Sequence, residues 1–483
     1  MLQGEMKLEK IDLTALNKDY SIYIPSMQQG AAASLVMPAE DWQSAALPAG
    51  LEPRDFNFLR EDNRFWSYKY ALASAANFRG NTKNAIAHRD GKEHVLGDSG
   101  GFQVGTGAFT GADKWLGLPQ QEVMERWRDS NMLEEITKWC ELNCDYAMTL
   151  DIPLWVNRPS SKKNPNKSPF AGFSTEALLK LSVENLQYLT DKRGTWTNGR
   201  HSCKYLNVLQ GESIEQEQLW FDAVKGFKLD GWSLAGQVGV DGGPYRIINR
   251  LLKLADAGLL GSGYDWVHLL KLGKLRWAPV VTALQYALRK KVNKTLTITY
   301  DSSSAYMSSG RFEGYYSSRE LTGDISTWSH SANKFPSTWG YANSPNSMRM
   351  DRVKCRGAKK CVMCEQGKLH LPEPMTSPIA SLMTVQDMFV RTQGLAQRRV
   401  GKLFEATLAN NNVFVIVEGM IRANEAVFGD KPYAPQEIMD ACGLIGEIVG
   451  KEDWAGRLAK HLPQLESAVG YKPKKQSDAP EVH

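Results

Sequence analysis

Nowhere in its 483 residues does the chain run eighteen apolar residues in succession, which excludes a transmembrane helix and, with it, a membrane partner. The opening stretch MLQGEMKLEKIDL lacks the apolar core of a secretory signal, so the expected location is the cytoplasm. Cysteine is scarce and odd in number, seven in all, which argues against a disulfide framework. Neither sign of charge dominates: 58 Lys and Arg against 53 Asp and Glu leave +5. The glycine-rich turn DSGG at Asp98–Gly101 is not followed by G-K-[ST], so it is not a phosphate-binding loop. What remains is a soluble globular composition, 42% apolar and 23% charged, long enough for one large domain and a smaller one.

Short β-type runs recur, and each ends in polar or glycine-rich sequence. They are YSIYIP from Tyr20, EHVLGDSGG, CDYAMTLDIP, KYLNVLQGE, DGWSLAGQ, WVHLLKLG and LTITYDSSS. Helical patterns lie between them. One is LPQQEVMERWRDSNMLEEITKWCELN; another is STEALLKLSVENLQYLT, for which Ser174 is an N-cap candidate. GPYRIINRLLKLADAGLL and APVVTALQYALRKKV follow. Strands alternating with helices imply an α/β fold with a parallel sheet, and the number of units favours a closed (β/α)8 TIM-type barrel. In such barrels functional residues sit where strands pass into βα loops. Asp98, Asp151, Gln210, Gly236 and Asp301 all occupy that position. The expected organisation is a barrel over 1–345, a small basic metal-binding subdomain over 346–400, a helical C-terminal extension over 401–470 and a disordered tail over 471–483.

Charge distribution says more than net charge. Between Arg349 and Lys402 eleven basic residues face four acidic ones, and RPSSKKNPNKS from Arg158 and RKKVNK from Arg289 add two further clusters. Together they point to a polyanionic partner such as nucleic acid. Cys355, Cys361 and Cys364 lie inside the first cluster, and the CVMC half-site suits structural zinc, with His370 as the nearest histidine for a fourth ligand. A reduced, metal-free loop is the competing reading of that trio.

A pocket for guanine needs a carboxylate to accept N1–H and the 2-amino group, a donor for O6, and an aromatic face. Asp151, Gln210, the backbone around Gly236 and Phe102 supply that inventory, and Asp98 and Asp301 are the strand-end carboxylates left for chemistry at the sugar. DSGGFQV at Asp98–Val104, LQG at Leu209–Gly211, LAGQVG at Leu234–Gly239 and TYDSSSAYMSSGR at Thr299–Arg311 resemble, in that order, the tRNA-guanine transglycosylases and their DNA-modifying relatives. The resemblance covers roughly residues 91–395. It implies a (β/α)8 barrel with a zinc subdomain, and base exchange without strand cleavage. Asp301 is then the nucleophile and Asp98 the general acid/base. Ser99, Phe102, Gln103, Asp151, Gln210 and Gly236 bind the base, and Cys355, Cys361, Cys364 and His370 hold Zn2+.

Two departures from the family pattern stand out. The cysteines are spaced x5 and x2 where the family has x and x2, and Gln386 stands in the histidine's context. VGTGAFTGADKW follows the fingerprint, and Asp151 is followed by IPLW where bacterial tRNA enzymes carry a glutamate. The implied substrate is therefore DNA, as in the branch found in phages and bacteria, with a free 7-deazaguanine such as 7-cyano-7-deazaguanine as the incoming base. Action on tRNA, and a catalytically inactive barrel that only binds nucleic acid, are the alternatives. The sequence identifies no helper protein.

Overall fold

The computed structural model describes residues 9–36, 47, 51–80, 83–86, 89, 91–109, 111–157, 168–196, 202–235, 243–312, 314–334, 350, 373–390, 398–399 and 401–472. Eight parallel strands close into a barrel: β1 (Ile22–Met27), β2 (Tyr70–Ser74), β3 (His94–Asp98), β4 (Tyr146–Met148), β5 (Lys204–Leu209), β6 (Gly231–Leu234), β7 (Trp266–Leu269) and β8 (Thr297–Ser302). β8 pairs with both β7 and β1, so no edge strand is left. The expected (β/α)8 barrel is thus the architecture observed. Seven of its strands are legible in the sequence. The eighth, β2, reads YALAS; alanine favours helix, and Ala71 and Ala73 are buried by the barrel rather than marked by β-branched side chains.

The helical layer follows the chain. A short α1 (Gly101–Gly105) leaves β3, then α2 (Gln120–Asp129) and α3 (Met132–Asn143) precede β4. The single helical pattern over that region breaks at Ser130–Asn131, where Ser130 turns to extended backbone. After β4 comes α4 (Thr175–Lys192), and Ser174 caps it as expected, accepting from Ala177 N at 3.2 Å. Then come α5 (Ile214–Val224), α6 (Gly243–Asp256) and α7 (Trp277–Lys291).

Beyond β8 the chain runs through α8 (Ser304–Gly310) and an antiparallel hairpin of β9 (Gly314–Ser317) and β10 (Ser331–Lys334). It returns as α9 (Gly401–Phe428), which packs on β1, α7, α8 and β9. α10 (Gln436–Val449) covers α7, and α11 (Trp454–Val469) covers α6. α9 is buried all round rather than along one stripe, and three successive asparagines within it meet three separate segments. Asn410 donates to Phe56 O (3.2 Å), Asn411 to Tyr316 O (2.8 Å), and Asn412 to Ala305 O (3.0 Å) and Gly314 O (3.1 Å). Because the burial would be costly unpaired, these bonds fix the closing helix both to the segment after β8 and to the chain at Phe56 before β2.

The RKKVNK cluster ends α7 and so lies at the face where strands begin, opposite the functional rim. Its Arg289 is spent on Asp19 (2.7 Å) and Leu296 O (2.6 Å). The other two basic clusters fall largely outside the described residues, as do 473–483.

Candidate active site

The loop after β3 is shaped by two glycines. Gly100 has φ +86°, the left-handed region that favours glycine, and its amide turns back to Asp98 Oδ1 at 3.1 Å. A Cβ on Gly101 would meet Asp151 O at 2.9 Å and Asp151 Oδ1 at 3.0 Å. The glycine pair therefore lets the start of α1 lie directly against the loop after β4, which brings Asp98 and Asp151 to one corner of the rim.

Asp301 reaches the same rim from β8. Side chains along a strand alternate, so Asp301 shares a face with Thr299 and stands one level above it. Thr299 is in register with His268 of β7. The wholly buried His268 ring joins the two levels: Nδ1 lies 2.8 Å from Thr299 Oγ1, and Nε2 lies 3.5 Å from Asp301 Oδ1. The same Asp301 oxygen accepts the Lys271 backbone N–H at 2.8 Å.

The carboxylates act on one another. Burial pushes the Asp98 carboxyl above its ordinary value, and the Asp301 charge adds to that; the Gly100 amide, the Ser74 hydroxyl and the Lys271 ammonium oppose it. Asp151 is pushed up to about 7, chiefly by burial and further by Asp98, against the hydrogen bond from Gln210. Asp98 and Asp151 thus hold their protons more tightly than ordinary carboxylates, with the Asp301 carboxylate close enough to Asp98 to act on it.

Gln210, buried at the end of β5, is fixed on both sides of its amide. Nε2 donates to Asp151 Oδ2 and to Ile152 O (3.3 Å), and Oε1 accepts Leu154 N at 3.1 Å. Phe102 projects from α1 and is 43% exposed, unusual for a phenylalanine beside a core. Its ring lies 5.5 Å from that of Trp155, and the Lys271 ammonium stands over it at 5.7 Å from the centroid. Ser99 and Gln103 are tied to the ends of neighbouring strands: Ser99 Oγ donates to Thr149 O (3.2 Å), and Gln103 Oε1 accepts Ser74 Oγ (3.3 Å).

Asp98, Asp151, Asp301, Gln210 and Phe102 thus converge on the C-terminal rim. Gly236 lies outside the described residues, and so do Cys355, Cys361, Cys364 and His370. Among the described residues no group of three or more His, Cys, Asp or Glu can hold a metal ion, and no helix is long and apolar enough to cross a membrane.

Several site residues escaped the sequence reading. Lys271 and His268 both sit in WVHLLKLG, and a charged residue closing an apolar strand was the available signal. Arg246 and Arg250 of α6 hold the loops after β5 and β6 from outside. Arg246 Nη1 donates to Gly211 O (2.9 Å), and Arg250 Nη1 to Ala235 O (2.6 Å), with Glu217 closing on Arg250 Nε at 2.7 Å. Their spacing is that of an ordinary helix face, so nothing in the sequence singled them out.

The chain matches no protein-family model, and no curated protein matches it.

Proposed function

We propose that this protein is a transglycosylase that exchanges guanine in DNA for a 7-deazaguanine base, such as 7-cyano-7-deazaguanine, through a covalent aspartyl-glycosyl intermediate. The observation that carries the reading is the grouping of Asp98, Asp151 and Asp301 at one rim beside an exposed aromatic ring, in a chain whose DSGGFQV loop resembles that of the transglycosylases.

The proposed chemistry assigns a role to each of these groups. The target nucleotide leaves its helix so that C1′ can approach Asp301. An Asp301 oxygen forms a bond to C1′ while the C1′–N9 bond breaks, and its electron pair passes to the departing guanine. Asp98, whose burial raises its proton affinity, gives that base its proton. The 7-deazaguanine then occupies the vacated pocket, Asp98 takes the proton from its N9, and N9 attacks C1′ to release Asp301. Phe102 offers a stacking face worth about 1–3 kcal/mol. Asp151 accepts from the base edge, and Gln210 sets the orientation of Asp151. The basic cluster around 349–402 would follow the phosphate backbone, and Cys355, Cys361, Cys364 and His370 would hold zinc as a structural ion within it.

Incorporation of labelled guanine into duplex DNA and into bulk tRNA, measured side by side with pure protein, tests the reading. Label in DNA supports it. Label in tRNA alone keeps the chemistry and replaces the substrate, and label in neither leaves only the binding barrel. One equivalent of zinc in the pure protein, lost in Cys361→Ser, checks the metal.

A further inference from the structure

Lys271 is one of only two non-glycine residues with positive φ among the described residues, at +65°. A side chain in that region is strained where glycine is not, so a lysine there asks for a use. The other, Lys18 at +49°, answers with an ion pair to Glu425 at 2.8 Å. Lys271 makes no ion pair among the described residues. Its two ends point to the reaction instead. The backbone N–H holds Asp301 Oδ1 at 2.8 Å, and the ammonium lies over Phe102 and within electrostatic reach of Asp98. The exposed chain is free to move with a ligand. A purine stacking on Phe102 takes the ring face that the ammonium now covers, and the ammonium passes to the purine's acceptor edge.

Resting on the base-exchange reading, we infer that Lys271 is a further catalytic residue: its amide positions the nucleophile, and its ammonium meets the stacked purine and offsets the negative charge that builds on the base as it leaves and as it enters. Lys271 transfers no proton in this scheme. Cleavage of C1′–N9 sends an electron pair into the purine, Asp98 supplies the proton at N9, and the ammonium stabilises the charge between those events. A cation brought against a developing anion lowers the barrier to forming it.

Backbone and side chain can be separated, because Lys271→Gly keeps the amide and relieves the strained φ, whereas Lys271→Met keeps the chain's bulk and the strain. Steady-state guanine exchange in both variants of the full chain should show kcat reduced roughly a hundredfold with KM for DNA nearly unchanged. Lys271→Arg should restore activity to within about tenfold of wild type. The upper limb of the kcat–pH profile should move to higher pH in the Gly and Met variants, since loss of the nearby cation raises Asp98 further; a merely structural lysine would not move it. An active wild type with an equally active Lys271→Gly overturns this inference alone, as does a rise confined to KM. A wild type that exchanges base into no nucleic acid overturns the base-exchange reading and this inference with it.

Discussion

The two rims of the barrel carry the same residue in opposite surroundings. Where strands begin, Asp145, Asp230 and Asp265 immediately precede β4, β6 and β7. Each is held by hydrogen-bond donors from its surroundings. Asp145 accepts Val95 N at 2.7 Å beside Arg89 at 3.4 Å. Asp230 takes Tyr205 N at 2.9 Å and Arg193 at 2.6 Å. Asp265 takes Asn293 Nδ2 at 2.9 Å and Thr295 Oγ1 at 2.7 Å, and those bonds hold its carboxyl below the usual range. Where strands end, Asp98 lies within electrostatic reach of both Asp151 and Asp301, and burial holds Asp98 and Asp151 above it. Carboxylates at the first rim staple neighbouring strands; at the second, Asp98 and Asp151 hold a proton more tightly than an ordinary carboxylate.

The sharpest way to break the comparison is to remove one aspartate from each rim. Asp301→Ala should lower exchange roughly 10^4-fold or more while leaving the thermal midpoint nearly unchanged, and Asp98→Asn should cost about 10^2–10^4-fold. Asp145→Ala should do the reverse. It strands the buried Arg89 guanidinium, so urea unfolding should show a loss of about 3 kcal/mol with kcat retained. A catalytic loss at the starting rim that exceeds the stability loss would erase the distinction.

Titration separates the rims next. Asp151 has its folded value raised to about 7. Its contribution to stability is complete below the ordinary carboxylate range and is lost as pH rises from about 4 through 7. Asp265, lowered in the fold, contributes above the ordinary range and loses its share as pH falls. Urea midpoints at pH 5 and 8 should therefore fall with rising pH in wild type, and less so in Asp151→Asn. Guanine binding needs the ionised Asp151 to accept from N1–H, so affinity should rise up to about tenfold per pH unit below 7 and level off above it. Equilibrium binding across pH 5.5–8.5 checks this; a flat profile would remove Asp151 from the base edge.

The smallest effect concerns the framework of the functional rim. Ser99→Ala removes one buried hydrogen bond to Thr149 O and should cost about 1 kcal/mol in urea unfolding, with KM for the incoming base unchanged. A selective rise in that KM would return Ser99 to the base pocket.

Much of this was legible in the sequence, for identifiable reasons. Alternating strands and helices gave the barrel, and the aspartates ending EHVLGD, TLD and TITYD stood at strand ends because the turn sequence after them was unmistakable. β2 was hidden because YALAS carries its burial on alanines. The partners of Ser99 and Gln103 within DSGGFQ were hidden because which way a side chain turns out of a tight loop depends on residues such as Thr149 and Ser74, which are far away in sequence. Lys271 was hidden for a different reason. Its backbone angle, its hold on Asp301 and its place over Phe102 exist only once β7, β8 and α1 have come together. The partners of the asparagine trio in α9 were hidden as well, since Phe56, Tyr316 and Ala305 are distant in sequence.

Trapping the covalent intermediate tests the central claim most directly. Wild-type protein mixed with a guanine-containing duplex, quenched in denaturant and digested, should yield a peptide containing Asp301 that carries a deoxyribosyl–DNA adduct, absent from Asp301→Ala and discharged by added 7-deazaguanine base. An adduct on another residue, or base exchange that proceeds undiminished in Asp301→Ala, would contradict the account.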